Sequence, residues 1–191
     1  MKKESIITLP NEHLRQKSAK IHVVDKSTLT LIENMVSASL DWEDSRPHEI
    51  SAALAAVQID RLEKVVIIRS DFDDKENRDF TALINPEIIK YEGKTTYEHE
   101  GCLSVNKVYG NVPRASKIRV RALDVNGNQV RFKAEGFLAR VIQHEVDHTN
   151  GILFIDHIRE AEDAFFELDK DGKLQPLNYA KDIESNSILW D

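Results

Sequence analysis

IRVRALDVNGNQVRFKAEGFLARVIQHEVDHTNG, running from Ile118 to Gly151, changes its period halfway along. Ile118 and Val120 alternate with Arg119 and Arg121, Asn126-Gly127 supplies a type I′ turn, and Val130 and Phe132 resume the alternation. That pattern predicts a β-hairpin. From Gly136 to about Asn150 the apolar spacing becomes helical, and Gly151 fits a helix stop. The pattern is that of a hairpin feeding directly into a helix.

Val65 to Ile68 is a short β-branched run that predicts a buried strand. Phe165 to Leu168 and the residues from Leu174 flank Asp169–Gly172 and predict a second hairpin. Upstream, Leu29, Ile32, Val36 and Leu40 recur at helical spacing between Ser27 and Trp42, predicting a helix with that apolar face. Asp41 to Glu49 is polar, contains Pro47, and reads as an exposed loop; Asp71 to Asp79, almost wholly charged, reads as a solvent-exposed turn. No βαβ alternation is visible. The fold class expected is α+β, with antiparallel sheets and hairpins packed around a central helix.

Composition narrows the function. The chain has 191 residues, 26 Lys and Arg against 33 Asp and Glu, a net charge of −7, and 41% hydrophobic residues. That length and apolar content suffice for one sizeable core. The single cysteine, Cys102, rules out an internal disulfide and suits a reducing compartment. No apolar run approaches the roughly 20 residues of a membrane span. Pro10-Asn11-Glu12 interrupts any signal-peptide core, and Glu4 argues against a transit peptide. Net negative charge without a basic block argues against nucleic-acid binding. The expectation is a cytoplasmic protein, monomeric by default, with no membrane partner.

The chemistry is concentrated in Gln143-His144-Glu145-Val146-Asp147-His148. Two histidines four apart on a helix share one face and can reach one metal ion. Glu145 sits where its carboxylate can serve a metal-activated water as proton shuttle without becoming a ligand. Ordinary polar helix faces also place histidines four apart, so a third ligand is the discriminating feature. Downstream, Asp156, Glu160 and Glu162 fall into no arrangement typical of the zinc proteases. Upstream stands Glu100-Gly101-Cys102-Leu103-Ser104, where a lone cysteine is either a small buried hydrophobe or a ligand. Phe137 and Val141 share the helix face of His144 and could wall an apolar pocket, or simply pack the core.

EGCLS at Glu100–Ser104 and QHEVDH at Gln143–His148 together resemble peptide deformylase, the family that removes the formyl group from new bacterial polypeptides. Leu9-Pro10 to Arg15, Val112-Pro113-Arg114 and Asn150 to Asp156 are also similar to family segments, so the resemblance covers about residues 5 to 160. It implies that Cys102, His144 and His148 ligate one divalent metal, Fe²⁺ in cells, with Zn²⁺, Ni²⁺ or Co²⁺ able to substitute. Glu145 would then be the general acid/base, and the Gln58 side chain and Leu103 N–H would donate to the developing oxyanion. The implied substrates are N-formylmethionyl nascent peptides. Some relatives meet these near the ribosomal exit tunnel through a basic C-terminal helix; the tail here is acidic and gives that ribosome contact no support. Residues 1–160 would be the catalytic domain, and 161–191 an extension of the same domain.

The first family motif departs from pattern. Ser51-Ala52-Ala53-Leu54-Ala55-Ala56-Val57-Gln58 replaces two family glycines by Ser51 and Ala53, Asp60 stands where another is usual, and Asn106 and Thr149 replace a proline and a leucine. If Ser51–Leu54 is the strand edge that pairs with peptide, the added side chains should weaken binding, and restoring glycine at 51 and 53 should lower KM. Ser51, Ala52, Ala53, Leu54, Glu100, Tyr109, Phe137 and Val141 are the candidate substrate-binding residues. Two other functions compete: a non-catalytic, deformylase-like binding protein, and a zincin-like metallopeptidase that would not need Cys102.

Overall fold

The computed structural model describes residues 1–46 and 49–190. Helix α1 (Lys26–Asp44) packs on one face of a mixed-length antiparallel sheet, and α2 (Gly136–His148) on the other. The strands are β1 (Ala53–Ala55), β2 (Val65–Arg69), β3 (Phe80–Cys102), β4 (Val105–Leu123), β5 (Gln129–Glu135), β6 (Phe165–Leu168) and β7 (Leu174–Pro176). They run in the order β1-β2-β3-β4-β6-β7, with β5 also paired to β4. Every pairing between these strands is antiparallel, so the expected α+β architecture around the α2 helix is what forms.

Strand β2 shows why the sheet is sandwiched. Val66 and Ile68 join the cluster under α2, whereas Val65 and Ile67 join the cluster under α1 with Leu31 and Met35. Alternate side chains leave opposite faces of a strand, so a run of four β-branched residues needs a cover on each side. The long β3–β4 hairpin bends through several register shifts, which lets its tip reach a third cluster built on Leu153, Phe154 and Phe165. The second hairpin, β6–β7, falls on the expected residues and extends the sheet through Tyr109↔Phe166 and Gly110↔Phe165.

Several expectations need correction. Helix α1 is capped by Asp25, whose Oδ1 accepts from Thr28 N at 3.1 Å, but its buried stripe is Leu31, Met35, Ala38 and Ser39. Leu29 is exposed, and Ile32 and Val36 are only half-buried at the border of the cluster. The helix also runs on through Trp42 to Asp44, where a loop from Asp41 was expected. Glu43 makes this continuation favourable, because it is buried against Arg69 with Nη1 to Oε2 at 2.7 Å. Pro47 lies outside the described residues. In the β4–β5 connection only Gly127 has positive φ, at 79°, and Asp124 N donates to Asn128 O at 2.9 Å. A three-residue loop with a left-handed glycine therefore replaces the expected type I′ turn.

The chain after α2 turns at Gly151, φ 74°, where a Cβ would lie 2.3 Å from the Arg15 carbonyl oxygen. Only glycine fits that crossing. Gln143 ties the helix to β4 by accepting from Ala115 N at 3.1 Å and donating to Ala115 O at 2.9 Å. The helix bearing the histidines is thus locked in rotation against the hairpin bearing Cys102.

Candidate active site

Cys102 ends β3, and the two-residue turn Leu103-Ser104 returns the chain into β4. Gly101 precedes it because a Cβ there would lie 2.6 Å from the Tyr109 ring. Across from this turn, His144 and His148 project from successive turns of α2. Cys102 Sγ lies 3.3 Å from His148 Nε2, and the ligand atoms of Cys102, His144 and His148 all fall within 4.8 Å of one another. Atoms bound to one tetrahedral ion at zinc-like distances sit about 3.3–3.6 Å apart, so these three residues fit a metal. Among the described residues they are the only group of three or more His, Cys, Asp or Glu that could hold one. Asp156 is engaged elsewhere, accepting from Arg15 Nη1 at 2.6 Å and Leu153 N at 2.7 Å.

These candidate ligands are held from behind. His144 Nδ1 is 2.9 Å from Glu100 Oε2. Glu100 is buried and also accepts from Arg114 Nε at 2.9 Å, Arg114 Nη2 at 3.0 Å and Arg140 Nη1 at 2.7 Å. Burial alone would raise the Glu100 carboxyl; the bonds from His144 and Arg114 outweigh it and hold it well below the usual range. Burial likewise works against a charged His144, but its bonds to Cys102 and Glu100 win and raise it. His148 is pushed down, first by burial and then by the positive charges of His144 and Arg114.

Glu145 is buried with no ion pair among the described residues, and burial pushes it up to about 7. Its Oε2 and His148 Nδ1 make no hydrogen bond to the described protein groups. A buried carboxylate oxygen left free beside three clustered ligand atoms fits a site built to handle water next to a metal.

Gln58 comes from the short helical turn Ala56–Ile59 that follows β1. Its Oε1 accepts from Ala55 N at 2.9 Å, which turns Nε2 toward Ser104 Oγ at 3.1 Å and Cys102 Sγ at 3.5 Å. The amide is therefore aimed at the metal-site turn with its orientation fixed. Leu103 leads that turn and lies half-buried against the α1 cluster.

A cavity of about 830 Å³ opens in front of these groups. Ala52, Ala53, Tyr109, Phe137 and Val141 line it, as do Gln58, Leu103 and Glu145. Two candidates do not: Leu54 is buried under α1, and the buried Ser51 turns its hydroxyl onto Ser39 Oγ in the same helix. β-Strand alternation sends Leu54 to the face opposite Ala53. Glu100 borders the cavity, but both its oxygens are committed to His144 and the arginines, so it supports a ligand and does not face substrate. Sequence reasoning missed Arg114, Arg140 and Ser104 as supports, and Glu167 and Leu168, through which β6 reaches the cavity wall. Arg140, a charged residue among the apolar positions of α2, carried the one available signal; Arg114, on β4, carried none.

The family model for polypeptide deformylase matches residues 3–164. The chain is 43% identical over 155 residues to a peptide deformylase of Brachyspira hyodysenteriae, covering 80% of this chain and 79% of that one. It also resembles the crystal structure of a peptide deformylase from Synechococcus elongatus in complex with actinonin, at TM-score 0.73 and 31% identity, over 82% of this chain and 80% of that one. A Met-Ala-Ser-bound class I type b peptide deformylase from Acinetobacter baumannii aligns at TM-score 0.71 and 28% identity, over 80% of this chain and 96% of that one. With the cysteine, the paired histidines and the glutamate gathered at one cavity, the chain belongs to the polypeptide deformylase family of metal-dependent hydrolases.

Proposed function

We propose that Cys102, His144 and His148 hold one Fe²⁺ ion in the cell and that the chain uses it to hydrolyse the formyl group of N-formylmethionyl nascent peptides. The observation behind this reading is the convergence of one sulfur and two imidazoles within 4.8 Å, beside the buried Glu145. A metal in that donor set supplies Lewis-acid activation of water near neutral pH. Glu145 takes a proton from the attacking water and delivers it to the departing α-amino group, so the formyl C–N bond breaks and formate leaves. Gln58 Nε2 and Leu103 N–H donate to the oxyanion that develops on the formyl oxygen; fixed donors of this kind are each worth about 3–4 kcal/mol.

The peptide chain would lie along β1. Ala55 N donates away from β2, to Gln58, while Ala52 O accepts from Arg69 N of β2 at 2.8 Å. Alternation along an antiparallel ladder then puts the Ala53 backbone groups on the edge that faces away from β2, available to an extended peptide. Val141 and Phe137 would receive the methionine side chain. The Met-Ala-Ser complex of the Acinetobacter relative supports a short methionyl peptide as occupant.

Mass analysis of formyl-Met-Ala-Ser after incubation with metal-loaded protein tests the reaction. The expected products are formate and intact Met-Ala-Ser. Cleavage between Met and Ala would instead identify a metallopeptidase.

A further inference from the structure

Ser51, which replaces a family glycine, is fully buried and engaged at both its backbone and its side chain. Its N–H donates to Glu43 Oε2 at 2.9 Å, and its hydroxyl pairs with that of Ser39, also fully buried on α1. Glu43 Oε2 in turn accepts from Arg69 Nη1 at 2.7 Å. Arg69 is the residue whose own N–H holds Ala52 O at 2.8 Å, and its Nη2 donates to Lys75 O at 2.7 Å. Neither Ser51 nor Ala53 has positive φ, so no left-handed backbone demands glycine at either place.

Strand β1 needs such anchoring. It is three residues long, lies at the sheet edge and, among the described residues, pairs only with β2. Its far end is fixed where Ala55 N meets Gln58 Oε1. Its near end enters from the segment after α1, and Ser51 joins it directly to that helix.

We infer that Ser51 is a positioning residue: with Ser39, Glu43 and Arg69 it latches the entry of β1 to α1 and thereby preorganises the peptide-binding edge at Ala52–Ala53. The inference rests on the deformylase reading for its substrate. A binding edge already ordered before the peptide arrives spends less of the interaction on its own immobilisation. Loosening the latch therefore weakens peptide binding and leaves the metal, Glu145 and Gln58 in place. The serine is thus a gain to this chain's binding site, which reverses the expectation that glycine at 51 lowers KM.

Ser39→Ala and Ser51→Ala each remove only a hydroxyl and leave the Glu43–Arg69 pair intact. Fe²⁺-loaded variants are assayed anaerobically for formate release from formyl-Met-Ala-Ser, and Met-Ala-Ser affinity is measured by calorimetry on the same proteins. Each single variant should raise KM and the Met-Ala-Ser Kd three- to tenfold with kcat within twofold. The double variant should be no worse than either single, since both delete one contact. KM and Kd unchanged, even with a lowered melting temperature, would reduce the latch to a structural role and overturn the inference. A lowered KM in Ser51→Gly would also overturn it. Absence of formate from wild-type protein alongside the Kd changes would leave the latch standing and defeat the deformylase reading.

Discussion

Glu100 Oε2 stands 2.9 Å from His144 Nδ1, and this one contact leaves Nε2 as the His144 nitrogen able to meet a metal. A carboxylate that accepts a hydrogen bond from Nδ1–H fixes the tautomer and leaves Nε2 free to act as a ligand. The carboxylate is itself held by Arg114 and Arg140, so the ring orientation is set by residues on β3, β4 and α2 together.

Glu100→Gln should lower metal affinity by about 10–100-fold, the usual effect of losing a carboxylate behind a ligating histidine. Chelator competition measures it. Affinity equal to wild type would mean that the helix alone orients His144.

Glu145→Gln should retain a full complement of metal and lose about 10²–10⁴ in kcat, because the three ligands are untouched and the proton carrier is gone. Metal analysis beside the formate assay separates the two effects. Loss of metal would make Glu145 a ligand.

The same substitution has a pH signature in the metal-free protein. Burial raises folded Glu145 to about 7 from an ordinary 4.5, so the folded state holds this proton more tightly than the unfolded chain. Its contribution is fully present below pH 4.5 and is lost as pH rises through 7, a fall of about 3 kcal/mol. Urea unfolding at pH 5 and pH 8 should show that fall in wild type and a shallower one in Glu145→Gln. Equal slopes would place the titration on another group.

Asp60→Gly should stabilise the protein by about 1 kcal/mol. Asp60 closes the Gln58 turn at φ 60°, ψ 35°, a left-handed conformation that costs an L-residue about 1–2 kcal/mol. Its contact with His13 is exposed on both sides and returns under about 1 kcal/mol. Thermal unfolding is the measurement, and a destabilised variant would show that the His13 contact outweighs the strain.

Of the three family glycines missing from this chain, Asp60 alone occupies a left-handed position, a distinction that could not be read from sequence. What was legible depended on local periodicity: the β4–β5 hairpin, α2 and the β6–β7 hairpin all stand where alternation and turn residues put them. Cys102, His144 and His148, which the fold gathers into a candidate metal site, were legible because i, i+4 spacing and the EGCLS segment are both local patterns. The supports were not. Glu100 meets Arg140 and His144 across 40 and 44 residues, and Glu43 meets Arg69 across 26, so only the folded chain brings each charge to its partner. Without Arg69, Glu43 read as a loop acid, and the end of α1 was misplaced with it. The face of α1 was misjudged for a related reason: Ser39 is buried because Ser51 bonds to it, which apolar spacing does not register.

Titration of the metal-free chain with Fe²⁺ under anaerobic conditions, followed by formate release from formyl-Met-Ala-Ser, is the most direct measurement. The rate should climb linearly with added iron and break at one ion per chain in wild type, and stay at background in Cys102→Ala. A folded wild-type protein that binds one Fe²⁺ and releases no formate, or a Cys102→Ala variant as active as wild type, would contradict iron-dependent deformylation by this site.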